Sequence, residues 1–261
     1  MSNQHSLPQE KTVFDMSIIV EAISKELSKD DFRVAKTHKK NYHKYIRIMA
    51  ELGWPAYMDG DYNFHERIVS LCKNGTQDLI LNAIYEHYDA LYIQYLQESL
   101  EESKVICKNR IPLFKEAFLL YNLGYYYGSV TLLLTQLAGI IKDIDCYLSE
   151  MGLEYDEDSF KLLNTRYKVS KNGEKGKILL TLLEGRKYND EDNEYLYLIG
   201  YFRSLLFAEK LDNDCLTTQI NRNMIFHGEQ VTFGSKEQAL KLILCIDSLL
   251  WVCEVLYKRY N

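Results

Sequence analysis

The sequence predicts an all-α protein, a helical bundle built from an N-terminal helical region and a C-terminal helical domain. Three observations carry that prediction. Only three prolines (Pro8, Pro55, Pro112) and 13 glycines interrupt 261 residues, too few for an all-β chain of many short turns. Apolar residues recur at three- and four-residue spacing over long stretches, the period of an amphipathic helix. Apolar residues make up 47% and charged residues 26% of the chain, a balance that supports a sizeable core.

The elements follow in order. Residues 1–12 are polar and expected to be disordered. Over residues 13–29 Phe14, Ile18, Ile19, Ala22 and Ile23 fall at helical spacing. A second helix is expected over residues 32–52, stopped by Gly53 and the Trp54-Pro55 step beyond it. A short helix follows over residues 64–73. A longer one is expected over residues 77–100, with Leu79, Ile80, Ala83, Ile84, Tyr88, Leu91 and Tyr95 as its stripe.

Pro112 sits where a helix tolerates proline, in the first turn of the next element. Residues 113–148 hold two apolar stripes, from Phe114 to Tyr121 and from Val130 to Ile144. Gly124 and Gly128 around Tyr125-Tyr126-Tyr127 suggest two helices meeting as a hairpin. A charged connector (residues 154–194) alternates acidic, basic and acidic runs, and a further amphipathic helix is expected over residues 195–208. The last helix, residues 235–257, is apolar nearly all round from Leu242 to Leu256. Such a helix must be covered on both sides, by the core and by a second subunit in the dimeric reading. The resulting division is a helical region of unknown role over residues 13–108 and a helical domain over residues 109–261.

Charge and cysteine usage narrow the function classes. With 31 Lys and Arg against 37 Asp and Glu, the formal charge is −6, which excludes a globally basic nucleic-acid coat protein but permits local basic patches. No uninterrupted apolar run reaches the roughly 18 residues of a membrane span. The polar N-terminus lacks a hydrophobic signal core, so a cytoplasmic location is expected. The six cysteines are scattered without a C-x-x-C pair, and read as reduced, buried, small hydrophobes rather than zinc ligands or disulfides. No cofactor loop, nucleophile elbow or metal-binding helix motif is present, and neither a metal nor a cofactor is expected.

One constellation carries chemistry: Asn221-Arg222-Asn223-Met224-Ile225-Phe226-His227-Gly228, just ahead of the most apolar helix. Neutral imidazole can accept the proton of a ribose 2′-hydroxyl near neutral pH. A guanidinium can hold non-bridging phosphate oxygens and stabilise charge developing in the transition state. An amide such as that of Asn223 can orient either partner. On one straight helix Asn223 and His227 share a face, whereas Arg222 and His227 diverge by about 140°. Convergence therefore requires the helix to end before His227, where Gly228 suits a left-handed stop, or requires two subunits to share a cleft. The plain alternative is a surface arginine and a capping histidine without catalysis.

These residues resemble the R-[polar]-x3-H motif of the HEPN superfamily in its RNA-cleaving branch. The string RIPLFKEAFLLYNLGYYYGSVTLLLTQLAGII from Arg110 is similar to the helical hairpin that precedes the motif in bacterial members. FGSKEQALKLILCIDSLL is similar to the closing helix, so the resemblance spans residues 109–261. In Gln136-Leu137-Ala138-Gly139-Ile140 the acidic residue expected of a QIEGI-like string is missing. The resemblance implies a metal-independent endoribonuclease that acts as a homodimer through the C-terminal domain and leaves a 2′,3′-cyclic phosphate. It implies His227 as base, Arg222 as phosphate and transition-state group, and Asn223 as polar partner. Toxins and abortive-infection (phage-defence) effectors are common among such proteins, which brings an antitoxin or trigger protein into view as a partner.

RNA needs cationic contacts. The window from Arg33 to Arg47 holds Arg33, Lys36, Lys39, Lys40, Lys44 and Arg47 with two histidines, two tyrosines and no acid. Basic side chains interleaved with aromatics suit a backbone-tracking, base-stacking groove; a solvated helix face is the competing reading. Residues 161–177 are a second basic stretch. Around the motif itself, residues 207–229 carry two basic against four acidic groups, so a basic lining must come from elsewhere in the chain or from a second subunit. The alternative function, from a different class, is a non-catalytic helical dimerisation or adaptor module.

Overall fold

The computed structural model describes residues 13–14, 36–55, 61–151, 154–155 and 220–260. Over these residues the chain is all-α, as predicted. The only strand pairing among them is a two-residue parallel one, Val13 opposite Glu154 and Phe14 opposite Tyr155. Val13 and Phe14, residue types suited to extended backbone, thus depart from the helix expected at residue 13. The remainder of that expected helix, the basic stretch 161–177 and the expected helix 195–208 lie outside the described residues.

Helix α1 (Lys36–Glu51) buries Tyr42, Tyr45, Ile46 and Met49, one face at helical spacing, against α2 (Tyr62–Asn74). Asp61 caps α2 by accepting from the Asn63 and Phe64 backbone N–H groups at 2.9 and 3.3 Å. The single helix expected over residues 77–100 is two. Helix α3 (Gln77–His87) ends, and α4 (Ala90–Glu102) restarts after Asp89, whose carboxylate accepts from Leu91 and Tyr92 N–H at 2.9 and 3.0 Å. An aspartate offers the backbone a local partner that competes with helix continuation, and here the cap wins. The break turns α4 so that Ile93, Leu96 and Leu100 face the core.

A 3-10 turn (Lys108–Arg110) leads into α5 (Ile111–Asn122), with Pro112 in its first turn. The expected hairpin follows: α5 packs along α6 (Tyr126–Glu150), joined through Leu123, Gly124 and Tyr125. Gly124 adopts φ +81°, the left-handed conformation that closes a helix, and the Tyr125 N–H donates to the Leu120 carbonyl at 2.8 Å. Gly128, which the sequence also placed in the turn, lies inside α6, where its missing Cβ admits Leu120 of α5.

After the short helix α7 (Arg222–Phe226) comes α8 (Lys236–Tyr260). Ser235 and Gln238 cap α8 reciprocally, each backbone N–H donating to the other's side chain at 3.3 and 3.1 Å. From Ala239 to Leu256 the apolar residues Leu240, Leu242, Ile243, Leu244, Cys245, Ile246, Leu249, Leu250, Val252 and Cys253 are all buried within one chain. Helices α6 and α4 pack on α8, the Tyr92 hydroxyl of α4 donates to Asp247, and the Lys241 Nζ lies over the Trp54 ring at 5.0 Å. The all-round apolar pattern is therefore satisfied by the chain's own helices, and a second subunit is not needed to explain it. Buried residues on both sides of residue 108 form one continuous cluster from Tyr42 to Leu256. No helix among the described residues is long and apolar enough to cross a membrane.

Candidate functional site

Helix α7 is held from both ends by its neighbours. Asn221 caps it, its side-chain oxygen accepting from the Met224 N–H at 3.1 Å, while the Asn221 N–H donates to the Gln230 side chain at 3.0 Å. Met224 and Ile225 are buried, and Ile225 joins the core cluster. At the other end Gly228 takes φ +75°, its N–H donating to the Ile225 carbonyl at 3.0 Å and the Glu229 N–H to the Met224 carbonyl at 2.8 Å. These two bonds make a Schellman stop, the left-handed ending that Gly228 suggested in sequence.

The motif residues are divided by this geometry. Arg222 and Asn223 are half-buried, whereas Phe226 and His227 are exposed. His227 stands past the last helical residue, its N–H donating to the Asn223 carbonyl at 2.9 Å. The Arg222 guanidinium lies over the Phe226 ring at 5.5 Å, the four-residue spacing that stacks side chains on a helix. Its Nε is shielded from solvent and has no hydrogen-bond partner among the described residues. The three apolar residues between Arg222 and His227 are thus unequal. Two are buried, and the third is an exposed ring beside the histidine.

The basic window is only partly within view. Lys36, Lys39 and Lys40 belong to α1, and Arg33 lies outside the described residues. Lys44 is half-buried, and Arg47 is exposed, 4.0 Å from Glu51 one turn on. Among the described residues no group of three or more His, Cys, Asp or Glu side chains is placed to share a metal ion.

A polar cluster that sequence reasoning passed over sits on α6. Arg110 donates to Asp143 through Nε at 2.7 Å and Nη2 at 3.0 Å, and reaches Gln136 through Nη1 at 3.4 Å. Asp143 also accepts the Cys107 backbone N–H at 2.8 Å. Hydrogen bonding to Asp143, more than any other influence, holds the Arg110 pKa above its ordinary value. Gly139 makes the arrangement possible, since a Cβ there would stand 2.0 Å from Arg110 Nη1. The signal was present in sequence: Asp143 lies between Ile140 and Ile144 on the core-facing stripe, where an acid requires a partner. The cysteines also differ from expectation. Cys245 and Cys253 are buried, with thiols whose pKa desolvation pushes up, but Cys72, Cys107 and Cys146 are exposed.

No known family pattern, curated protein sequence or solved structure matches this chain.

Proposed function

We propose that this chain is a metal-independent endoribonuclease that acts as a homodimer, with Arg222, Asn223 and His227 at its site. The observation that carries the reading is the stop of α7 at Phe226: it leaves His227 exposed, one residue past a helix whose first turn bears Arg222. In the reaction His227 takes the proton of a ribose 2′-hydroxyl, the 2′-oxygen attacks the adjacent phosphorus, and the 5′-oxygen leaves. The products are a 2′,3′-cyclic phosphate and a 5′-hydroxyl. Arg222 neutralises the non-bridging oxygens as charge builds on them, and Asn223 orients the imidazole or the phosphate. A second copy of the chain completes the cleft, and α1 with Lys36, Lys39, Lys40, Lys44 and Arg47 offers cationic contacts to the RNA backbone. A toxin or phage-defence effector, restrained by an antitoxin or released by a trigger protein, is the role such an activity would serve.

The test is RNA cleavage by the purified chain in EDTA. Cleavage should persist, end in a cyclic phosphate, and be abolished by His227→Ala with the helical circular dichroism unchanged. Loss of cleavage in EDTA, or an active His227→Ala variant, refutes the mechanism. A specific observation supports a second reading, a non-catalytic interaction module: the hairpin tip exposes Leu119, Leu123, Tyr125 and Tyr127, a surface suited to a protein partner. Under that reading, expression of the wild type and of Arg222→Ala would slow bacterial growth equally or not at all.

A further inference from the structure

Three links tie the two segments that carry exposed thiols to one carboxylate, that of Asp143. Cys107 caps the 3-10 turn, its carbonyl accepting the Arg110 N–H at 3.0 Å. The Cys107 N–H is bound to the Asp143 carboxylate at 2.8 Å. Cys146 follows Asp143 by three residues on α6, the spacing at which Cβ atoms are about 5–6 Å apart. Arg110 is clamped across the junction by its two bonds to Asp143, which keeps the segment at Cys107 against α6. After the larger effect of Asp143, Cys107 and Cys146 are further causes that raise the Arg110 pKa. Neither thiol is in a disulfide, and both are exposed.

We infer that Cys107 and Cys146 form a reversible thiol-modification site, oxidised to an intramolecular disulfide by a peroxide. The chemistry balances with one oxidant molecule. One thiolate attacks a peroxide oxygen, the O–O bond breaks, and a sulfenic acid and water result. The second sulfur attacks the sulfenic sulfur, the S–S bond forms and the S–O bond breaks, and the departing hydroxide leaves as water with the second thiol's proton. Two thiols and one hydrogen peroxide become one disulfide and two waters. The bond pins the segment between α4 and α5 to α6, and it demands the short Cα separation of a disulfide, below about 7 Å. This inference is independent of any nuclease activity.

The experiment treats the full-length folded chain with hydrogen peroxide, alkylates the remaining thiols and maps the peptides by mass spectrometry. The expected result is a loss of two hydrogens from the intact mass and a joined pair of peptides carrying Cys107 and Cys146, released by dithiothreitol. Cys72→Ser should leave the cross-link unchanged, and Cys107→Ser should leave Cys146 as a sulfenic acid that dimedone captures. Separate sulfenic acids at both positions in the wild type overturn the proposal. So do cross-links between chains only, or oxidation of Cys72 while Cys107 and Cys146 stay reduced.

Discussion

Arg110 and Asp143 meet through two parallel hydrogen bonds, 2.7 and 3.0 Å long, across 33 residues of sequence. The carboxylate is almost wholly buried and also anchors the Cys107 N–H. Removing it strands a largely buried cation and an orphaned backbone donor. Asp143→Ala should therefore lower the unfolding free energy by about 3 kcal/mol in urea denaturation. Replacing both partners with apolar residues, as in Arg110→Met with Asp143→Leu, should recover most of that loss. A single-variant loss within 1 kcal/mol of zero (about the size of one exposed ion pair) would show that the pair does not clamp the two segments together.

Gly139 is the socket for this arginine. A methyl group there collides with Nη1, so Gly139→Ala should cost about 1–3 kcal/mol. In an Arg110→Ala background the collision disappears, and alanine should then be the better helix residue by up to about 1 kcal/mol. The sign of the Gly139→Ala effect should reverse between the two backgrounds in thermal melts. Two equal effects would place the guanidinium elsewhere.

The short helix of the motif depends on its ends. Asn221→Ala removes the acceptor for the Met224 N–H and should cost about 1 kcal/mol. Gly228→Ala, at φ +75°, should cost about 1–2 kcal/mol because a Cβ crowds the carbonyl in the left-handed region. His227→Ala, at an exposed position, should change stability by less than about 0.5 kcal/mol. Differential scanning fluorimetry of the three variants checks the order, and the small third effect lets a loss of cleavage be read as chemistry.

Alkaline pH tests the phenols between α3, α5, α6 and α8. Burial first, then Glu237 and Tyr126, pushes Tyr85 up to about 12 from an ordinary 10.0. Burial likewise raises Tyr121. In the unfolded chain both phenols ionise near 10, so the folded state holds more protons above that pH. The stability Tyr85 contributes is complete below pH 10 and falls as pH rises through about 12. Denaturation midpoints measured between pH 9 and 12 should decline, and Tyr85→Phe should flatten the decline. An unchanged slope in that variant would remove Tyr85 as its source.

Several elements were legible because helix rules act over three or four residues. The stripe from Val130 to Ile144, the stop at Gly228 and the closing helix after Ser235 are all read from spacing and residue type. The break at Asp89 was missed because the apolar stripe runs through it. Whether an aspartate caps a new helix or lies on the surface of a continuing one depends on which direction the next turn must take to reach the core. Asp143 on the core-facing stripe signals that a partner is needed, but which partner it finds is not legible, because a contact 33 residues apart leaves no local period.

The residue pattern alone therefore specifies that this chain is helical, where most of the helices among the described residues run, and that Arg222, Asn223 and His227 precede an apolar helix. Packing alone specifies that α8 is covered by its own chain, that Met224 and Ile225 are buried while Phe226 is left in solvent, and that Arg110 finds Asp143. The physical reason is range. Backbone hydrogen bonding and side-chain periodicity are settled within a turn or two, whereas burial and ion pairing are settled only when distant helices compete for the same surface.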